Sequence, residues 1–585
     1  MKLFCNSLSR VALILLTSVF LFTASCSKKK ETSVVAKKAQ ATDVAAELTN
    51  SDSLVKSIPS DAYCFVSADL SHAAYKRLLA SPWSPRQNKF SAKDILTSEG
   101  FPKKVAQILE GSCNLSEQPQ VIEDFVGEVA LFATLPQQAS EPLTSIGLLL
   151  RSSKKDELPN RLAVIRDEIK KAGIEVKDES ISGAKGFSFS SYDLCDDVDA
   201  CKAAAKVPPM IFVAWNNGTG VFSFSETVIQ QVLTAKQGVP QFVNSENFKR
   251  ATQDFPSSES RYGFGYIDLT KIVEHIAKAE NKSDLIASVS KSPIEAISLS
   301  SAMADIPSAI VKLLFNPRDE NQKKVFEIFG SSNAKSMLEV LPADPLLFIS
   351  LDGQTLLRAK ALLAANAPAP VQDQLKVLDA VQRVGLVVNS PSSGGSMLPV
   401  PDLLIVLESN AAEQSEQQIS QIVTSYMGTQ GGAQGLQWQE NEIDGVKVKS
   451  MMSPLGFGMF LTRHKNFVIA SSTDNQLRAL LKGINGKGEV FASMASGMEK
   501  SILSERDTLF NWYMSFDRFG TTLENMGQML LMFAPPDDQQ KAREYLTPDA
   551  IEQIRKMGVM LGSTTIDKGA ITIESYQMGK SKGKA

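Results

Sequence analysis

Apolar and polar positions along this chain switch between two periods. Runs of strand length, rich in β-branched and aromatic residues, occupy 63–70, 125–135 and 145–151, the last two reading as a hairpin. Leu158, Leu162, Ile165 and Ile169 then recur at steps of four, three and four, which predicts an amphipathic helix opened by Pro159 and ended by Gly173. Strand candidates follow at 174–176, 186–189, 210–215 and 220–225, then a helix at 226–233 and a strand at 262–267. A last hairpin pairs 296–302 with 309–315.

The same order then repeats. Ile58-Pro-Ser-Asp-Ala-Tyr-Cys-Phe-Val-Ser-Ala-Asp-Leu70 returns as Leu341-Pro-Ala-Asp-Pro-Leu-Leu-Phe-Ile-Ser-Leu-Asp-Gly353, keeping its proline, two aspartates, phenylalanine and serine at one spacing. Phe264 and Asp268 are matched by Tyr513 and Asp517. Arg383-Val384-Gly385 falls against Phe125-Val126-Gly127, Ile443-Asp444-Gly445 against Ile181-Ser182-Gly183, and 467–471 against 221–225. A chain of 585 residues exceeds one hydrophobic core. The repeat divides it into a first copy at 57–316, a linker at 317–338, a second copy at 339–580 and a basic tail at 581–585. Each copy is expected to be α+β, with antiparallel strands in a curved sheet and helices packed on one face.

Composition narrows the class. With 43% apolar residues, 21% charged residues and a formal charge of −3, the chain reads as globular, and no long basic block sits in its body. Nucleic acid is therefore a poor candidate partner.

At the start, Lys2 and Arg10 bracket the approach to an apolar run at 11–22, well short of the ~20 residues of a membrane span. Thr23-Ala24-Ser25-Cys26 follows and resembles the lipobox of bacterial lipoproteins. That resemblance implies a signal peptide at 1–26, acylation of Cys26 and, with Ser27 next in place of aspartate, sorting to the outer membrane. An ordinary cleaved secretory signal is the alternative. Polar residues 27–56 read as a tether of roughly 30 Å if flexible.

Export permits disulfides, and four cysteines remain in the body. Cys195 is expected to pair with Cys201 across a short loop, which leaves Cys64 with Cys113. No histidine or second cysteine pair lies near them, so no metal site is expected there.

Candidate chemistry is sparse. Asp69, Asp268, Asp352 and Asp517 each stand where a strand gives way to a helical run, the place for a helix cap, although paired carboxylates also serve acid–base catalysis. His72, His275 and His464 stand alone. Gly483-Ile484-Asn485-Gly486-Lys487 lacks the spacing of a phosphate loop, and the acidic loop 193–201 lacks the glycine and distal glutamate of a calcium loop. Met526, Met529, Leu530 and Phe533 mark one helix face, a candidate binding surface because methionines adapt to varied apolar partners.

The repeated Pro-x-Asp-x-x-x-Phe-x-Ser-x-Asp start and the order of elements resemble a bacterial envelope family called domain of unknown function 3352. The resemblance brings no catalytic residues and no cofactor. The expected function is a lipid-anchored, non-catalytic envelope protein that binds or scaffolds other envelope components, facing the periplasm or the cell surface. A carrier of lipid or other apolar ligands is the alternative, and a hydrolase using the strand-end aspartates ranks last.

Overall fold

The computed structural model describes residues 44–578, apart from 51–52, 60, 81–125 (103–104 and 107–108 excepted), 135–145, 153–154, 196–209, 235–240, 273–292, 305, 318–319, 365–374 (372 excepted), 391–400, 430–436, 453–457, 505, 534–546 (539 excepted) and 568. Contacts divide the chain into two compact units, one running up to Asn316 and the other from Pro317. Both are α+β, built on curved antiparallel sheets.

The first unit opens with helix α1 (Val44–Asn50) and a 3-10 turn (Leu54–Ser57). Strands β1 (Ala62–Asp69), β2 (Val126–Thr134) and β3 (Ile146–Ser152) follow, with α2 (Ala73–Ala80) after β1 and α3 (Leu158–Lys171) after β3. Next come β4 (Val176–Ile181), β5 (Ala184–Ser190), β6 (Met210–Asn216), β7 (Thr219–Ser223), α4 (Glu226–Thr234) and α5 (Glu246–Thr252). The unit ends with β8 (Arg261–Asp268), β9 (Ile294–Met303) and β10 (Pro307–Phe315). The pairings give the order β10-β9-β8-β1-β2-β3-β7-β6-β5-β4, antiparallel throughout.

The second unit starts with α6 (Glu320–Ile328) and α7 (Lys335–Leu338), then β11 (Leu347–Asp352), α8 (Gly353–Ala364), β12 (Val381–Asn389), β13 (Asp402–Ser409) and α9 (Ala412–Thr429). It continues through β14 (Gln439–Ile443), β15 (Val446–Met452), β16 (Gly458–His464), β17 (Phe467–Ser471), α10 (Asp474–Ile484), α11 (Phe491–Met494) and α12 (Gly497–Ser504). It closes with β18 (Phe510–Ser515), α13 (Phe516–Phe533), α14 (Pro548–Lys556), β19 (Val559–Asp567) and β20 (Ala570–Met578). Its strand order is β20-β19-β18-β11-β12-β13-β17-β16-β15-β14, the order of the first unit strand for strand.

Local devices repeat with the topology. Ser182-Gly183 and Asp444-Gly445 carry positive φ at both central residues of the β4–β5 and β14–β15 turns, the geometry that matches strand twist in a two-residue hairpin. Ser223 and Ser471 each accept a hydrogen bond from the backbone N–H two residues on (3.1 and 3.3 Å) as the chain turns toward α4 and α10. The 467–471 strand therefore matches the first copy two residues earlier than the sequence comparison suggests. In both units β2–β3 and β12–β13 have an irregularity at one place, between Val126 and Glu128 and between Val381 and Arg383.

Cores form where cross-strand rows meet helices. In the first unit Phe65, Phe264 and Tyr266 meet Phe242 and Phe248 in a cluster of rings 5.0 to 5.8 Å apart. Leu158, Leu162 and Ile169 of α3 pack on Phe187, Phe189 and Val213, as the four-three-four spacing predicts. In the second unit Ala412 and Ile419 of α9 pack against Leu461 and Val468. Of the two strands that end each unit's order, β4 and β14 are polar: Lys177, Asp178, Glu440 and Glu442 are exposed there.

Two expected boundaries move. The expected tether ends early, because Val44, Leu48, Leu54 and Val55 are buried and residues from Val44 onward belong to the first unit. The expected linker is likewise part of the second unit, with Ala334, Met337 and Leu338 buried. The two corrections have one cause. The shared motif begins upstream, as Ser53-Leu54-Val55 in one copy and Ser336-Met337-Leu338 in the other, at the same distance from the proline.

Candidate functional site

The strand-end aspartates do not converge. Asp268 lies one step beyond Ile267, the partner of Cys64, whereas Asp69 ends β1, so the two stand about 20 Å apart at the rise of an extended strand. In the second unit Asp352 donates its N–H to Leu509 O, while Ser515, two residues before Asp517, donates to Leu346 O at the other end of the pair. A two-carboxylate hydrolytic centre does not assemble from these residues.

What they do instead is local. Asp352 Oδ2 accepts from the N–H and hydroxyl of Thr355 (2.8 and 3.1 Å), and Asp268 Oδ1 accepts from Lys271 N–H (3.1 Å), both bonds that satisfy a free amide of a helix start. Asp69 binds the N–H and hydroxyl of Ser71, and the start of α2 is held by His72, whose Nδ1 accepts from Ala74 N–H. At α13 the acceptor is Ser515 Oγ, bonded to Arg518 N–H at 3.3 Å, and Asp517 sits in the first turn. Pairing explains the difference. Phe65 faces Tyr266 and Phe348 faces Tyr513, so Ser515 stands where Asp268 does, and the Asp517 match is displaced by two residues.

The polar centre of each unit lies elsewhere. Asp69 faces Glu128 and Glu128 faces Arg151; Asp352 faces Arg383 and Arg383 faces Glu408. The two units therefore set an acid opposite a base at the same two strand positions with the charges exchanged. Glu128 and Arg151 are in ion-pair contact, whereas Glu408 acts on Arg383 through its charge alone. The Val-Gly match had aligned Arg383 with Phe125, but the register sets it against Glu128.

In the first unit Glu128 is 3.4 Å from Arg151 and accepts from Ser53 Oγ (2.8 Å) and Leu54 N–H (2.9 and 3.0 Å). Burial nevertheless holds its carboxyl above the usual range, against those hydrogen bonds and Arg151, with Asp69 adding to the rise. In the second unit Arg383 has no exposed surface. Its guanidinium donates to Ser332 Oγ (3.2 Å) and O, Ser350 Oγ (2.8 Å), and Thr508 O and Oγ1 (2.6 and 3.1 Å). Burial pushes Arg383 down to about 10, opposed by Asp352, Glu408 and Asp507, so it stays charged at neutral pH.

Sequence reasoning missed these four residues. Their signal is an ionisable side chain inside an apolar strand run, such as Val-Gly-Glu128-Val-Ala-Leu, since unpaired charges are rarely buried.

A second feature is an apolar sheet face shared by both units. Trp512, Ile349, Leu386 and Ile405 form one row across four strands, and Met514, Leu347, Val388 and Leu403 the next, all partly exposed. Leu403 and Ile405 are 43% and 41% exposed. Val66, Leu131 and Leu148 hold the matching row of the first unit. The proposed stripe Met526, Met529, Leu530 and Phe533 lies in the later turns of α13, and its side chains fall outside the described residues.

The expected Cys64–Cys113 disulfide is corrected: Cys64 is a free thiol. It sits inside β1 between β2 and β8, where burial raises it to about 12. Cys26, Cys113 and Cys201 lie outside the described residues, and Cys195 follows the short turn Tyr192–Leu194. Among the described residues no cluster of three metal-ligating side chains occurs, and no helix is long and apolar enough to cross a membrane.

No family model matches the chain, and no curated protein matches it. Among solved structures it is similar to crystal forms III and I of TP0453, at 12% identity and TM-scores of 0.26 and 0.24. Each alignment covers 48% of this chain, and 89% and 85% of the other. Likeness at that level carries no functional argument.

Proposed function

We propose that the protein is a lipid-anchored, non-catalytic component of the bacterial cell envelope, related to the domain of unknown function 3352 proteins, that binds other envelope components. The observation behind this reading is the apolar sheet face. An antiparallel sheet that meets water on one face alternates apolar with polar residues, yet β11, β12, β13 and β18 present apolar side chains in register on their partly exposed face. Contiguous exposed apolar surface marks interaction sites. Acylation at Cys26 would hold that surface beside a membrane, on the outer membrane by the residue at Ser27.

The test is capture of the intact chain from cross-linked bacterial membranes, wild type against Leu403→Ser/Ile405→Ser. Partners lost only in the variant support the reading. An identical set of captured proteins overturns it. The same rows contain no polar side chain, which favours a second reading, a carrier of lipid or another apolar ligand. Mass spectrometry of extracts from the purified protein separates the two, because only the carrier brings stoichiometric lipid that the variant loses.

A further inference from the structure

We propose that the reversed charges at Glu128/Arg151 and Arg383/Glu408 are a sorting key that keeps β2 and β12 from exchanging their partners β3 and β13 while the chain folds. Tandem repeats misassemble by exchanging equivalent elements, and here the two copies share the backbone geometry for it. They share strand order, hairpin turns and the irregularity beside the ion pair. Part of their apolar pattern does not discriminate. Val129 and Leu131 of β2 correspond to Val384 and Leu386 of β12, and Leu148 and Leu150 of β3 to Ile405 and Leu407 of β13. Phe132 opposite Gly147 and Val387 opposite Leu404 differ in size and add a steric difference toward the other end of the pair.

The charged positions do discriminate. With β2 set on β13 in the native register, Glu128 meets Glu408; with β12 set on β3, Arg383 meets Arg151. Like charges directly opposite each other destabilise a strand pair, and removal from water sharpens the repulsion. Glu408 is buried, Arg383 fully so, and the side chains of Glu128 and Arg151 are 13% and 21% exposed. Both wrong pairings are thus penalised where solvent relieves them least. Correct pairing of β2 with β3 and of β12 with β13 sets opposite charges together, whereas on the other side of β2 Asp69 faces Glu128 even in the native pairing.

The same register that would oppose Arg151 to Arg383 would oppose Leu148 to Leu386, so Leu148→Cys/Leu386→Cys reports the wrong β3–β12 pairing. The full chain carrying this pair is refolded from urea under oxidising conditions, and the disulfide between the two introduced thiols is quantified by peptide mass spectrometry. Adding Arg151→Gln removes one repulsion while Ser53 and Leu54 still hold Glu128, and is expected to raise the cross-link about fivefold, the scale of a single modest interaction. Leu149→Ala, on the same strand, weakens the first unit without touching charge and is expected to leave the cross-link at its starting level. No increase with Arg151→Gln, or an equal increase with Leu149→Ala, overturns the proposal.

Discussion

Asp352 faces Arg383 directly across the β11–β12 pair, and its buried Oδ1 has no hydrogen-bond partner while Oδ2 caps the start of α8. The carboxylate thus serves the helix through one oxygen and the arginine through its charge. Arg383→Leu is expected to cost about 3–5 kcal/mol in urea unfolding, because Ser332 O and Thr508 O lose their charged donor and keep only each other's N–H, and the buried Asp352 and Glu408 lose their counter-charge. Arg383→Lys is not expected to restore it, since one ammonium group cannot span oxygens on three segments.

Capping separates Asp268 from Asp517. Asp268→Asn is expected to leave stability nearly unchanged and Asp268→Ala to cost ~1 kcal/mol, because asparagine keeps the acceptor for Lys271 N–H. Asp517→Asn should change little, and Ser515→Ala should show the capping loss in its place. Equal losses for Asn and Ala at position 268 would contradict the assignment.

Glu128 predicts a pH dependence. Its folded-state value is raised, so its contribution is fully present below the unfolded value and is lost as pH rises through the folded one. Glu128→Gln does not titrate. Relative to wild type, the Gln variant is therefore expected to gain stability as pH climbs from the ordinary carboxylate range toward neutrality, measured by urea midpoints across that window.

Cys64 should resist alkylation. A thiol raised to about 12 holds little thiolate near pH 8, so iodoacetamide labelling in the native chain should be slow and should become rapid only in urea.

Gly147 tests the packing four residue pairs along the β2–β3 ladder from Glu128 and Arg151. A Cβ there would stand 2.3 Å from Phe132 Cζ, and Phe132 is fully buried. Gly147→Ala is expected to cost about 1–3 kcal/mol, with partial recovery when Phe132→Leu is added. A cost unchanged by the second substitution would locate the strain elsewhere.

Much of the fold was legible in the chain. The period of Leu158, Leu162 and Ile169 found the face of α3, and Ser182-Gly183 against Asp444-Gly445 found equivalent turns with one backbone geometry. What stayed hidden was register. A Val-Gly dipeptide recurs in β2 and β12 three residues out of step with the pairing, which concealed the exchanged charges. Val44, Leu48 and Leu54 are spread among polar residues, so α1 resembled a linker, although each is buried once the sheet supplies the other half of the contact. Cys64 illustrates the limit of counting cysteines, since a thiol enclosed by neighbouring strands satisfies the fold without a partner.

The polar outer strands have a consequence for crowding. Lys177 and Asp178 line one unit's last strand, and Glu440 and Glu442 the other's. Any incoming polypeptide that tried to extend either ladder would have to bury those charges against its own backbone. Even at high local density, edge-to-edge growth through these two strands is therefore disfavoured.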